Sequence, residues 1–207
     1  MKHILVLSAL VLSVAFLAGC ESPGRSLAQS AVDQIRDGQT TRAEIEKIFG
    51  EPLQMTKSPA GKTLYLYQRF YGPDVYSRTS IASPRRDESH LFVLSVLFNP
   101  ADVVEKHLYS HTLPDIDRLR LSAGRRLNSE QLAQIQPQKT THAELATWFG
   151  PHVSEFLTLN GSRQVNWEYA DAYNVGGRVE LQVLEAIVDD AGTVQSFRVT
   201  KRDPWRN

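Results

Sequence analysis

Ile35-Arg-Asp-Gly-Gln-Thr-Thr41-Arg-Ala-Glu44-Ile-Glu-Lys-Ile-Phe49-Gly50 returns one hundred residues later as Ile135-Gln-Pro-Gln-Lys-Thr-Thr141-His-Ala-Glu144-Leu-Ala-Thr-Trp-Phe149-Gly150. Seven of the sixteen positions are identical, and Gln34/Gln134 and Val32/Leu132 extend the match. Such self-similarity marks a duplicated structural unit. The shared residues have local physical roles. Thr41 with Glu44, and Thr141 with Glu144, fit a capping box: the hydroxyl accepts from the N3 amide and the carboxylate reaches back to the N-cap amide. Ile45, Ile48 and Phe49 then form one helical stripe, which Leu145, Trp148 and Phe149 repeat. Gly50 and Gly150 stand where a left-handed C-terminal cap is expected. Pro52 and Pro151 follow, where a helix cannot continue.

Working outward, a short helix is predicted before each box, over 27–36 and 129–135. Three strand signals follow each box, at 63–71, 91–98 and 103–111, then at 163–170, 179–188 and 194–201. The turn between the last two strands repeats as well, Phe98-Asn-Pro-Ala-Asp-Val-Val104 matching Val188-Asp-Asp-Ala-Gly-Thr-Val194. The expected fold is α+β: two tandem units, each helix–helix–three-stranded antiparallel sheet, with the helices on one sheet face. The expected boundaries are 27–112 and 128–203, joined by a linker at 113–127 and closed by a tail at 204–207.

The sheet faces can be told apart. Val165, Trp167 and Tyr169 alternate with Asn166 and Glu168, so the first set faces the helices. Alignment puts Tyr65 and Tyr67 on the inner face and Leu64 and Leu66 on the outer, with Val93 and Leu97. The first unit's outer face is therefore expected to be unusually apolar. Leu64, Leu66, Val93 and Leu97 are the candidate partner-binding face; the competing reading is that this face packs against the second unit or the 76–89 loop. Arg78, Arg85 and Arg86 in that loop, and Arg118 and Arg120 in the linker, are candidate contacts to anionic headgroups or an acidic partner.

The N-terminus reads as an address. Residues 4–18 are almost wholly apolar, too short for a spanning helix but right for a secretory leader. Leu17-Ala18-Gly19-Cys20 resembles a bacterial lipobox, with cleavage between Gly19 and Cys20 and lipid carried on the Cys20 sulfur. Residues 1–19 would be the leader and 20–26 a lipidated tether. Glu at position 21 favours the outer membrane facing the periplasm, because an Asp there tends to retain such proteins at the inner membrane.

Cys20 is the only cysteine of the 207 residues, which removes any intramolecular disulfide framework or Cys-rich zinc site. The 23 basic and 23 acidic side chains balance, so the electrostatic footprint of a nucleic-acid-binding domain is missing. No catalytic set is visible. The histidines show no metal spacing except His107 and His111, and on a strand those sit about 13 Å apart. No cofactor, metal or catalytic residue is expected.

Thr-Thr-x-Ala-Glu-Ile/Leu followed by Phe-Gly and Pro, the aromatic pairs Tyr65/Tyr67 and Trp167/Tyr169, the Asp189, Gly192, Val194 turn and the lipobox together resemble the SmpA/OmlA (BamE-like) family of outer-membrane lipoproteins. The resemblance spans both halves, roughly 28–112 and 128–203. It implies a non-catalytic, protein-binding scaffold in outer-membrane protein assembly or envelope maintenance, with a protein partner. The tandem layout is also similar to that of β-lactamase inhibitory proteins. That likeness implies the alternative of a periplasmic inhibitor or sensor module capturing a soluble enzyme or envelope component on a concave double sheet. The first unit departs from the family's Asp-x-x-Gly turn at Asn99-Pro100-Ala101-Asp102.

Overall fold

A computed structural model describes residues 27–71, 90–113, 116–117, 122–174 and 178–202. The first unit contains α1 (Gln29–Val32), α2 (Arg42–Phe49), β1 (Gln54–Lys57), β2 (Thr63–Tyr71), β3 (His90–Phe98) and β4 (Val104–Thr112). Two short strands follow, β5 (Ile116–Asp117) and β6 (Ser122–Ala123). The second unit repeats the series as α3 (Ser129–Leu132), α4 (His142–Phe149), β7 (Ser154–Leu157), β8 (Arg163–Asn174), β9 (Arg178–Val188) and β10 (Val194–Arg202). The first sheet is an antiparallel meander β1-β2-β3-β4. The second runs β10-β9-β8, with β7 and the β6-β5 pair both added along β8.

Both long helices start as the repeated motif dictates. The Thr41 and Thr141 hydroxyls accept from the Glu44 and Glu144 amides at 3.4 and 3.2 Å, and each carboxylate accepts from the threonine amide at 2.7 Å. These bonds favour the ionised carboxylate and hold both glutamates below their ordinary range. Ile45 and Phe49, and Leu145 and Phe149, are buried against their sheets, while Ile48 and Trp148 are half-buried at the core's margin. The first helices are shorter than expected, one turn each. The Arg36 and Gln136 amides donate instead to the Thr40 and Thr140 hydroxyls, at 2.8 and 2.9 Å, and the chain leaves the helix there. Gly50 and Gly150 have positive φ, but their ψ values of −154° and −167° are extended rather than left-handed helical. Only glycine occupies that region readily. Their carbonyls accept from the Tyr67 hydroxyl and the Trp167 indole, at 3.1 and 2.9 Å, which pins the inner aromatic of each sheet under its helix end.

Each unit has four main strands, not three. β1 and β7 are four residues long and carry no period-two alternation that would announce them. They exist because β2 and β8 pair with them, Gln54 with Leu66 and Ser154 with Asn166. The linker also contributes structure, since Ser122 and Ala123 pair with Asp171 and Ala170.

The units meet edge on face. On β3, Leu94, Val96 and Phe98 enter the helix-facing core, while Leu91, Val93, Ser95 and Leu97 are buried on the opposite face. The free edge of β7 lies on that opposite face. The Leu157 amide donates to Ser95 Oγ at 2.9 Å, the Ser110 hydroxyl donates to the Glu155 carbonyl at 3.2 Å, and the Thr112 hydroxyl donates to the Val153 carbonyl at 2.5 Å. Three hydroxyls of the first sheet thus serve backbone groups that an edge strand leaves open. At the rim, Lys106 donates to the Gly161 carbonyl at 3.2 Å and pairs with Asp190 at 2.9 Å.

Candidate functional site

The four residues expected to form an apolar binding face divide into two pairs. Val93 and Leu97 are 3 % and 0 % exposed and lie in the seam beneath the second unit. The expectation of a free surface is corrected at these two positions, and packing between units is the reason. Leu64 and Leu66 point outward as expected and are half-buried. The apolar surface that does remain exposed is displaced to the sheet edge and its neighbours, at Leu53 (66 %), Met55 (53 %) and Phe70 (54 %). β1 pairs with β2 only as far as Leu66. In the second unit the corresponding stretch of β8 is paired further along by β6.

Each unit carries a pocket beside the start of its first helix, built from matching positions. In the first unit it encloses about 450 Å³ and is lined by Leu27, Gln29, His90, Phe92, Tyr109 and His111. His90 Nδ1 and His111 Nε2 are 2.9 Å apart, the Phe92 ring stacks on His111 at 4.3 Å, and the Tyr109 hydroxyl donates to the Leu27 carbonyl at 3.0 Å. In the second unit the pocket encloses about 510 Å³ and is charged, lined among others by Arg126, Glu180, Gln182 and Lys201. Its groups satisfy one another. Arg126 pairs with Glu180 at 2.9 Å, Gln182 donates to Glu180 at 2.7 Å and accepts from the Leu127 amide at 2.9 Å. The strand periodicity hid these pockets, because their lining comes from strand ends and the residues before the first helices.

A third paired location lies where the second helix meets the sheet. The first unit places the Arg42 guanidinium over the Tyr65 and Phe98 rings, at 5.6 and 5.5 Å, with the side chain donating to Thr63 Oγ1 at 3.0 Å and paired to Asp102. Tyr65 in turn donates to Glu46 at 2.6 Å, and burial first, then this carboxylate, push its hydroxyl up to about 12. The second unit has His142 at the matching position. Folding brings it against His152 and Trp167, with ring centres 5.3 and 5.6 Å away. Burial lowers both imidazoles below the ordinary histidine range, with His152 and then Arg163 adding to the effect at His142, and Arg163 at His152.

Cys20, Gly19, Arg78, Arg85, Arg86, Arg118 and Arg120 lie outside the described residues, as do Trp205 and the whole 76–89 loop. The capping residues Thr41, Glu44, Gly50, Thr141, Glu144 and Gly150 are all in place and structural. One sequence signal extends the repeat upstream: Ser22-Pro-Gly24-Arg25-Ser-Leu27 matches Ser122-Ala-Gly124-Arg125-Arg-Leu127 at four of six positions. In the second copy Gly124 has φ +71°, and a Cβ there would stand 1.9 Å from the Glu168 carbonyl oxygen, so only glycine permits the approach. Among the described residues no group of three histidine or acidic side chains is placed to hold a metal ion, and no helix is long and apolar enough to cross a membrane.

Comparison with protein-family models, with curated proteins and with solved structures finds no match.

Proposed function

We propose that this chain is an outer-membrane lipoprotein, anchored through lipid on Cys20 and facing the periplasm, whose two SmpA/OmlA-like (BamE-like) units act as a non-catalytic protein-binding scaffold in outer-membrane protein assembly or envelope maintenance. The observation that carries the binding part of this reading is the contrast between two equivalent edges. The β7 edge is covered by the chain's own serine and threonine hydroxyls. The β1 edge is flanked by Leu53 and Met55, both more than half exposed. Exposed apolar residues beside a strand edge that pairs with no further strand among the described residues suit a partner that adds an extended segment or lays a sheet face on it. The lipobox supports the location, and the tandem motif supports the family.

Co-purification from membranes with the anchor intact tests this reading. Integral barrels and assembly subunits are expected in the pull-down, and Met55→Asp is expected to lose them while leaving the melting temperature within about 2 °C. Capture of a single soluble enzyme would favour the inhibitor or sensor alternative. A Cys20→Ser protein that is fully soluble and retains its partners would rule out membrane scaffolding.

A further inference from the structure

We propose that His142 and His152 form a two-imidazole binding site for a divalent transition-metal ion of the zinc class, a site that is specific to the second unit. The two residues are ten apart in sequence, on the first turn of α4 and just beyond Gly150, so no ligand spacing announces them. Folding sets His142 Nε2 and His152 Nδ1 3.4 Å apart, with ring centres at 5.3 Å and planes inclined by 57°. Metal–nitrogen bonds of about 2.1 Å at a near-tetrahedral angle put two imidazole nitrogens about 3.4 Å apart and their ring centres about 5.2 Å apart. The observed pair meets both distances.

The geometry separates this pair from the other one. His90 and His111 are closer, 2.9 Å between nitrogens, yet their ring centres are still 5.1 Å apart and their planes nearly parallel. That is the signature of two rings meeting edge to edge through a direct N–H···N bond, which leaves no room for an ion between them. At 3.4 Å the His142–His152 contact is long for such a bond.

The surroundings suit a neutral ligand pair. Both rings are half-buried and pack on Trp167, which limits their rotation. Glu155 acts favourably on a positive charge at His142, while Arg163 opposes one; these two side chains are themselves paired at 3.7 Å. At the matching place the first unit holds a permanent cation, the Arg42 guanidinium over its aromatic rings. The second unit has two imidazoles there and would acquire its cation from solution. With two protein ligands, the remaining coordination positions fall to water.

The test is titration of the full-length chain with Co²⁺, a spectroscopic stand-in for Zn²⁺, followed by competition with Zn²⁺. One equivalent is expected, with visible bands that Zn²⁺ displaces. His142→Gln and His152→Gln should each weaken binding more than about tenfold, and His90→Gln and His111→Gln should leave it unchanged. Should a variant fail to fold, imidazole ¹⁵N resonances of the unsubstituted chain give the same answer, because Zn²⁺ must shift those of His142 and His152. Undiminished binding in both His142→Gln and His152→Gln, zinc-induced shifts confined to other histidines, or no response to either ion would overturn the proposal.

Discussion

The two units share a backbone and differ in what they do with their outer sheet faces. In the first, Leu91, Val93, Ser95 and Leu97 on β3 meet Ser110 and Thr112 on β4, a surface of aliphatics and hydroxyls. In the second, the equivalent face keeps Val183 and Ile187 on β9 but sets Glu185 between them, beside Gln164, Asn166, Glu168 and Arg198, with Arg198 donating to Glu185 at 2.5 Å and Gln164 to the same carboxylate at 3.2 Å. Burial, and then Glu185, hold the Glu168 carboxyl above its ordinary range. A strand edge can settle on the first face, because three of its backbone groups find small hydroxyls and the gaps are filled by leucine and valine. Settling on the second would strip water from charged groups already paired to one another. A duplicated fold has therefore diverged so that one copy receives and the other inserts.

The sharpest way to break this comparison is at equivalent strand positions. Leu157 is 1 % exposed at the end of β7, and its counterpart Lys57 at the end of β1 lies on the surface. Leu157→Ala should cost about 2.7–5 kcal/mol in urea denaturation, whereas Lys57→Ala should change stability by no more than about 0.5 kcal/mol. Equal small effects would mean that the seam contributes little. The next test removes one hydroxyl. Ser95→Ala leaves the buried Leu157 amide without its acceptor and should cost about 1–3 kcal/mol; a change near zero would mean that the edge does not depend on the hydroxyls.

The smallest effect concerns backbone conformation. At two of the positions with positive φ only one copy keeps glycine: Gly38 (77°) in the first unit matches Gln138 (64°) in the second, and Asp102 (61°) in the first matches Gly192 (84°) in the second. Gln138→Gly should relieve the left-handed strain and leave the protein more stable by up to about 1 kcal/mol, measured as a raised denaturation midpoint. A loss would mean that the glutamine side chain contributes more than its backbone costs.

Much of this architecture is legible in the residues. The capping boxes, the inward aromatics and the repeated hairpin turn are local patterns, and the structure reproduces them. Even the departure at Asn99-Pro100-Ala101-Asp102 keeps the turn: Asn99 Oδ1 accepts from the Ala101 and Val103 amides, as Asp189 Oδ1 accepts from the Thr193 amide, and Asp102 adopts a positive φ, as Gly192 does. What sequence periodicity hides is whatever depends on tertiary partners. Gln54-Met-Thr-Lys becomes a strand only because β2 offers it an edge. The apolar outer face of β3 is indistinguishable, by alternation alone, from a surface awaiting a partner. His142 and His152 share no helix face or strand period that would bring them together on paper.

The hydroxyl-capped edge also carries a temporal consequence. Chains are made from the N-terminus, and domains tend to fold in that order. Ser95, Ser110 and Thr112 are therefore in place before β7 exists. The first sheet acts as a mould against which the second is cast, so the second unit need not present a naked β7 edge while it folds. A version of the chain with the two halves exchanged would keep every local pattern and lose that protection at birth.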